Sequence, residues 1–453
     1  MSLSQLINVS IKVAATAPTG PNFSVPAIFS CAPQSPLAPW YAAPITYCTG
    51  LSGVTALGFA TYEPAYLAAA AILDQEPNVT SFAIAKRTLP TTQVLNLLCS
   101  SSSSNDVYTF SLTGADGVVN QVIVASTGTS ATDATSIKTT INGLSNVGTA
   151  TTSSSTVIIT QAAGKFNNVS GWAGLGVAGS AILALTDAST NPGIATDLSA
   201  IAAIDHGWYG YTLESNSKAE IIASAAWCEA NAPHVFFTNT SDGTNISGTT
   251  VGAFHSMLAL TYARTFCQFN GSELLSYGGA AALGEALPQV AGSYTLAYKA
   301  LTGVPADPAS ILTATAITNL NTNNGNYYTT FQGQNVLISG ITPSGEFIDV
   351  TIFIDWLAAT IQTAVFALLV ANPKIPYTDG GVAAIVSVIK GCLGQGIQNG
   401  GLAASPAPTV SAPLVSSIPL SNVAARNVPS ITFTATLAGA IQSLSISGTV
   451  VLP

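Results

Sequence analysis

Three histidines, six cysteines and a thin scatter of carboxylates are the residues of this chain from which chemistry could be built. His206, His234 and His255 never fall at the i, i+4 spacing with a glutamate that a zinc peptidase helix uses, so structural roles are expected of them. Cys31, Cys48, Cys99, Cys228, Cys267 and Cys392 form no CxxC pair and have no histidine at zinc-ligand spacing. They read either as buried free thiols or as bridges between copies, since particles that leave a reducing cytoplasm can acquire disulfides at their surfaces. Asp349 and Asp355 lie six apart, and their surroundings suit one acid on a strand and another capping a helix better than a paired-carboxylate site. There is no G-x-S-x-G elbow, P-loop or dinucleotide fingerprint, and Gly278 and Gly279 lack the context of a phosphate loop. No catalytic, cofactor-binding or metal-binding residue is assigned, no cofactor is implied, and an enzyme is not expected.

The elements that would position such residues are drawn from an unusual composition. Only 7% of the 453 residues are charged, against roughly 25% in an average domain, yet 48% are hydrophobic and the mean hydropathy is +0.46. Such a chain is a membrane protein, a secreted Ser/Thr/Gly-rich adhesin, or a subunit covered by copies of itself. The best candidate span, residues 356–371, contains Thr360, Gln362 and Thr363 and falls short of the roughly 20 apolar residues a bilayer requires. It reads as an amphipathic helix of a soluble core, and no membrane insertion is expected. Residues 1–13 lack the basic and apolar regions of a signal peptide. The net charge of -9 leaves no basic stripe for nucleic acid.

Along the chain, the odd positions of the run containing Leu6, Ile7, Val9, Ile11 and Val13 alternate as a strand's do, and a Pro-rich stretch follows. Leu444, Ile446, Val450 and Leu452 share a face at the other end. Between these arms the pattern is α/β: an expected strand at 54–59, a helix opened by Pro64, strands at 82–85 and 208–213, then a helix whose stripe is Ala219, Ile222, Ala223, Ala226, Trp227 and Ala230, and a strand at 234–238. A Ser/Thr/Gly-rich segment interrupts it with strands around Phe110, Val122 and Ile158 and a helix turning Ile137, Ile141 and Leu144 inward, a ββαβ unit. Beyond Gly325 come strands at 336–338 and 347–353, a helix after Asp355 lined by Leu357, Ile361, Val365, Leu368 and Leu369, and another capped by Asp379 and lined by Val382, Ile385, Val386, Ile389 and Leu393.

The fold class is therefore multidomain α+β or α/β, with mixed-sheet cores flanked by helices, a small inserted β-rich domain and extended terminal strands. The expected division is an N-terminal arm at 1–20, a discontinuous middle domain at 21–104 and 193–325, an inserted outer domain at 105–192, a C-terminal core domain at 326–440 and a C-terminal arm at 441–453.

Several short segments, in this order along the chain, carry a resemblance: Gly207-Trp208-Tyr209-Gly210, Lys299-Ala300-Leu301-Thr302-Gly303-Val304, Gly345-Glu346-Phe347-Ile348-Asp349-Val350, Asp355-Trp356-Leu357, Lys374-Ile375-Pro376-Tyr377-Thr378-Asp379, and Ala425-Arg426 with Leu437-Ala438-Gly439-Ala440-Ile441. The chain resembles the tail sheath proteins of contractile bacteriophages, apart from the insertion. That resemblance implies homo-hexameric rings stacked helically around a tail tube protein, with baseplate and tail terminator proteins as further partners. It implies assembly in the host cytoplasm, residence in the virion tail, and contraction that drives the tube through the host envelope. It also implies that the C-terminal block faces the tube, making Lys374, Lys390 and Arg426 candidate contacts; the alternative for these three is solvated surface charge. Leu6 to Val13 and Ser443 to Leu452 would then complete sheets of adjoining copies, the alternative being that these ends pair within their own subunit. An extracellular adhesin or surface-layer protein is the alternative, and a hydrolase a more distant one.

Overall fold

The segment Pro26–Ser30 is buried along its whole length, as a parallel strand covered on both faces must be. Successive residues point to opposite sides: Ile28 and Ile84 enter one apolar cluster with Phe237 and Phe266, while Ala27, Phe29 and Phe236 enter the other. The computed structural model describes residues 22–100, 103–172, 182–445 and 447. The strands of its first half are β1 Pro26–Ser30, β2 Ile45–Cys48, β3 Phe82–Lys86, β4 Val94–Ser100, β5 Val107–Thr113, β6 Val119–Ala125, β7 Thr149–Ser153, β8 Thr156–Thr160, β9 Asn168–Ser170 and β10 Ile182–Asp187. Those of the second are β11 Gly210–Leu213, β12 Val235–Thr240, β13 Thr265–Phe269, β14 Asn326–Phe331, β15 Gln334–Ile338, β16 Thr409–Ser411 and β17 Thr432–Thr434.

Among the described residues, contacts divide the chain into a body, residues 22–353 with the described residues from 439 on, and a C-terminal unit, residues 354–438. The body is built on a mixed eight-stranded sheet ordered β15-β14-β13-β12-β11-β1-β3-β2, parallel except at its two outer pairs. The mixed α/β fold class holds. Strands β14 and β15 extend this sheet, so the block beyond Gly325 shares the body's core before the division at 353/354. Helix Gly278–Ala286 is buried on every side. It comes so close to β12 that a Cβ on Gly279 would sit 2.3 Å from the Thr238 carbonyl carbon, a spacing open only to glycine.

The inserted segment forms two sheets, β10-β4-β8-β7 and β6-β5-β9, closed by helix Ser130–Asn142, whose Ala134, Ile137 and Ile141 are buried. Its first sheet reaches back to β4, ahead of the serine run.

Four local expectations are corrected. Residues 54–59 are not a strand: Leu51–Ala56 is helical, because Val54 and Leu57 reach the core three residues apart. In helix Lys218–Ala230 the buried face is Glu220, Ile221, Ser224, Ala225, Trp227 and Cys228, while Ala219, Ala226 and Ala230 are exposed. A charged residue faces inward there, which an apolar pattern cannot register. The strand expected at 347–353 belongs to helix Ile348–Ala371, whose buried Ile348, Ile352, Phe353 and Leu357 form a helical stripe. Finally, Thr378, not Asp379, caps helix Asp379–Gln398 by accepting the Gly381 amide at 3.3 Å.

Candidate assembly surface

In open α/β sheets ligands settle beyond the carboxyl ends of the strands where the strand order reverses. Here that place lies beyond β1 and β11, and protein fills it. Glu214 follows β11 and accepts the Ser30 hydroxyl and the Cys31 amide, each at 2.8 Å. Arg87, following β3, reaches Glu214 at 3.5 Å, Thr91 at 2.9 Å and Asp197 at 3.9 Å, and also binds Glu220. Thr88 adds its amide to Asp197 at 3.1 Å. One guanidinium therefore faces three carboxylates, and all four side chains are at most 4% exposed. Burial pushes the Glu214 carboxyl up, opposed by Arg87 and by the Cys31 and Ser30 hydrogen bonds. Burial and the nearby Glu214 push the Cys31 thiol far up, which makes it a poor nucleophile. The hollow alongside, between Ser30, Gln34, Glu63 and Phe166, measures about 10 Å³, room for about one water.

The histidines are equally occupied with structure or solvent. His206 is exposed. His234 stacks on Trp208 at 4.1 Å with Nδ1 3.2 Å from the Tyr209 carbonyl, and burial pushes its pKa down to about 4. Asp349 and Asp355 share one helix, but six residues at about 100° each set them on different faces. Among the described residues no group of three or more His, Cys, Asp or Glu could hold a metal.

The C-terminal unit is different in kind. Two helices dominate it, Ile348–Ala371, which continues from the body, and Asp379–Gln398; both are long and apolar enough to cross a membrane by length and composition. The expectation that the first is too short is thus corrected, because the helix starts eight residues before Trp356. Only 22% and 33% of their apolar windows are buried, so the soluble-core reading does not describe them either. Ile354, Phe366, Leu369 and Val370 are each about half exposed on the first helix, and Leu414, Leu420, Phe433 and Leu437 stand exposed beyond the second. Large apolar side chains left out of the core in this number suit an interaction surface.

Beside these helices β16 and β17 pair as a three-residue antiparallel ribbon. Its register is tied down where Ala403 donates to Thr436 at 2.8 Å and Ala438 to Gly401 at 3.0 Å. Among the described residues each of its strands keeps one edge without a neighbour. A lone two-stranded ribbon is marginal in water and templates further strands.

Lys374, Lys390 and Arg426 are exposed, and among the described residues none of them takes part in a salt bridge. With Asp355 and Asp379 they give residues 354–453 a net charge of 3 − 2 = +1, whereas residues 1–353 carry 8 − 18 = −10. All six cysteines are buried, and no disulfide joins them among the described residues. Leu444 is 74% exposed. Leu6, Ile7, Val9, Ile11, Val13, Ile446, Val450 and Leu452 lie outside the described residues.

Residues 348–407 match the family described as E217 tail sheath protein gp31-like, C-terminal domain. The helical sheath of the anti-feeding prophage in its contracted state has a similar fold, with TM-score 0.50 and 13% identity over 99% of each chain. The sheath complex of PVC, an extracellular contractile injection system, also in its contracted state, gives TM-score 0.53 and 10% identity over 99% of this chain and 98% of that one. At these identities the likeness is one of fold. No curated protein matches the sequence.

Proposed function

We propose that this chain, a contractile tail sheath protein by its C-terminal domain and its fold, polymerises as stacked six-membered rings around a tail tube and shortens to drive that tube through a host envelope. The observation that carries this reading is the C-terminal unit, which leaves large apolar side chains and both edges of a two-stranded ribbon uncovered. Strands from adjoining copies would cover them. Residues 6–13 of one neighbour and 443–452 of another have the alternation to add to β16 and β17, with main-chain hydrogen bonds supplying affinity and alternate side chains fixing register. Lys374, Lys390 and Arg426 then face the tube protein. Baseplate and terminator proteins meet the same surfaces at the two ends of the sleeve, which is assembled in the host cytoplasm and resides in the virion tail.

Shortening is a rigid-body rearrangement in which exchanged strands keep neighbours joined while body contacts are traded for a more extensive set. Each additional 100 Å² of apolar surface buried per subunit favours the short state by about 2.5 kcal/mol. No bond is made or broken, and the chain needs no catalytic residue for this work.

A bilayer is the one other cover that a specific observation favours, since both long helices pass the length and composition test. Against it stands Lys390, an ionisable residue in the middle of the second helix. Electron microscopy of the concentrated protein separates the readings: regular sleeves are expected, and monomers that float with lipid vesicles would overturn the proposal. Deleting residues 1–14 should abolish sleeves while leaving the circular dichroism spectrum nearly unchanged.

A further inference from the structure

Just past the C-terminal unit the chain returns to the body, and a single residue is gripped there. The Tyr298 hydroxyl donates to the Gln442 carbonyl at 2.6 Å, and the Gln442 side-chain amide makes longer contacts with the Thr295 hydroxyl at 3.4 Å and the Ser339 carbonyl at 3.3 Å. Tyr298 itself is unusual. It is a non-glycine residue at φ +62°, and it is 54% exposed. A backbone in that region persists only where the surroundings enforce it, and such positions gather at functional sites. The enforcement is visible: Tyr298 donates to the Leu337 carbonyl at 2.7 Å and Leu337 returns a bond to Lys299 at 2.9 Å, so residues 298–299 lie bound alongside β15. On either side of Gln442 the apolar Ile441 and Leu444 are 88% and 74% exposed. The body holds the polar residue of this segment and leaves its apolar ones outside.

We propose that Thr295, Tyr298 and Ser339 form a cleat that keeps Gln442 on its own subunit within the assembled sleeve, so that an arm passing to an adjoining copy starts at Ser443. This rests on the strand-exchange reading above and adds where the exchanged arm starts. Both states of the sleeve would share this fixed point.

The test uses the full chain with the photoreactive amino acid benzoylphenylalanine in place of the exposed Ser443, prepared in light and heavy nitrogen, mixed before assembly and irradiated as sleeves. Cross-links to peptides containing residues 295–298 or 339 are expected, with both partners of one isotope. Mixed-isotope products at those peptides, or cross-links only elsewhere, would overturn the cleat while leaving strand exchange standing. Failure to form sleeves with the unsubstituted chain would instead bring down the strand-exchange reading and the cleat with it. Tyr298→Phe keeps the ring and removes the donor, and about a fivefold drop in same-isotope yield is expected. An unchanged yield would remove the hydroxyl from the cleat.

Discussion

The buried charges around Arg87 and the bare helices of the C-terminal unit are opposite uses of a scarce resource. With 7% charged residues, an ordinary monomer would place nearly all of them in water. This body instead encloses Arg87, Asp197, Glu214 and Glu220, tying the connections on both sides of the inserted segment to the central sheet. The C-terminal unit does the reverse, exposing Phe366, Leu369 and Leu420 with few charges near them in sequence. Burying ions fixes geometry more than it adds stability, and exposing apolar groups stabilises nothing until a partner arrives. The contrast suggests a body shaped for one geometry and a C-terminal unit whose surface is completed by assembly.

The largest effect should come from removing the cation. Arg87→Met leaves three buried carboxylates without their partner, and a loss of about 3–5 kcal/mol is expected in urea unfolding. Arg87→Lys, which keeps the charge without the fork, should recover only part of it. A loss below about 1 kcal/mol for Arg87→Met would mean the knot does not hold the body, and the contrast would fail.

The second effect is a pH dependence confined to the body. His234 has a folded pKa of about 4, below its ordinary 6.5, so folding favours the neutral ring. Stability is full above pH 6.5 and falls as the unfolded chain takes up a proton, down to about pH 4. Between pH 7 and 5 the loss from this group is about 2 kcal/mol. Asp187 works the other way: burial raises it to about 6 from 3.8, so it regains stability as pH falls through that window. Comparing His234→Phe with the parent isolates the histidine, and the variant should lose less stability than the parent between pH 7 and 5. Equal losses in urea titrations at the two pH values would show that the Trp208–His234 stack tolerates the charge.

This asymmetry also explains what could be read from residues alone. The apolar stretches that open Phe82–Lys86 and Val235–Thr240 announce buried parallel strands, and alternation in Val107–Thr113 announces a half-buried one. The face of helix Lys218–Ala230 was hidden because Glu220 turns inward to a cation 133 positions away. The start of helix Ile348–Ala371 was hidden because its β-branched run Ile348, Val350, Thr351 and Ile352 has strand propensity and is overridden by packing. The Gln442 grip leaves no residue-type signal, since its shortest bond is to a main-chain carbonyl. For the C-terminal surface the residues were legible and their exposure was not: apolar positions at helical spacing look the same whether the covering surface belongs to the chain or to another copy.

The smallest effect on the folded subunit, and the sharpest on its assembly, should follow from polar substitution on the bare helix. Phe366 and Leu369 are 55% and 50% exposed, so Phe366→Ser with Leu369→Ser removes little that is buried within the chain. The expected change in subunit stability is within about 0.5 kcal/mol, the range of ordinary surface positions. If copies of the chain cover this face, the same pair of changes takes apolar area out of every repeated contact, and sleeves should vanish from micrographs at concentrations where the parent forms them. Should the variant instead lose several kcal/mol as a monomer, these side chains serve the subunit's own core and the distinction between the two regions collapses. Stability and sleeve formation both unchanged would place the assembly contact elsewhere on the unit, leaving the open edges of β16 and β17 to carry it.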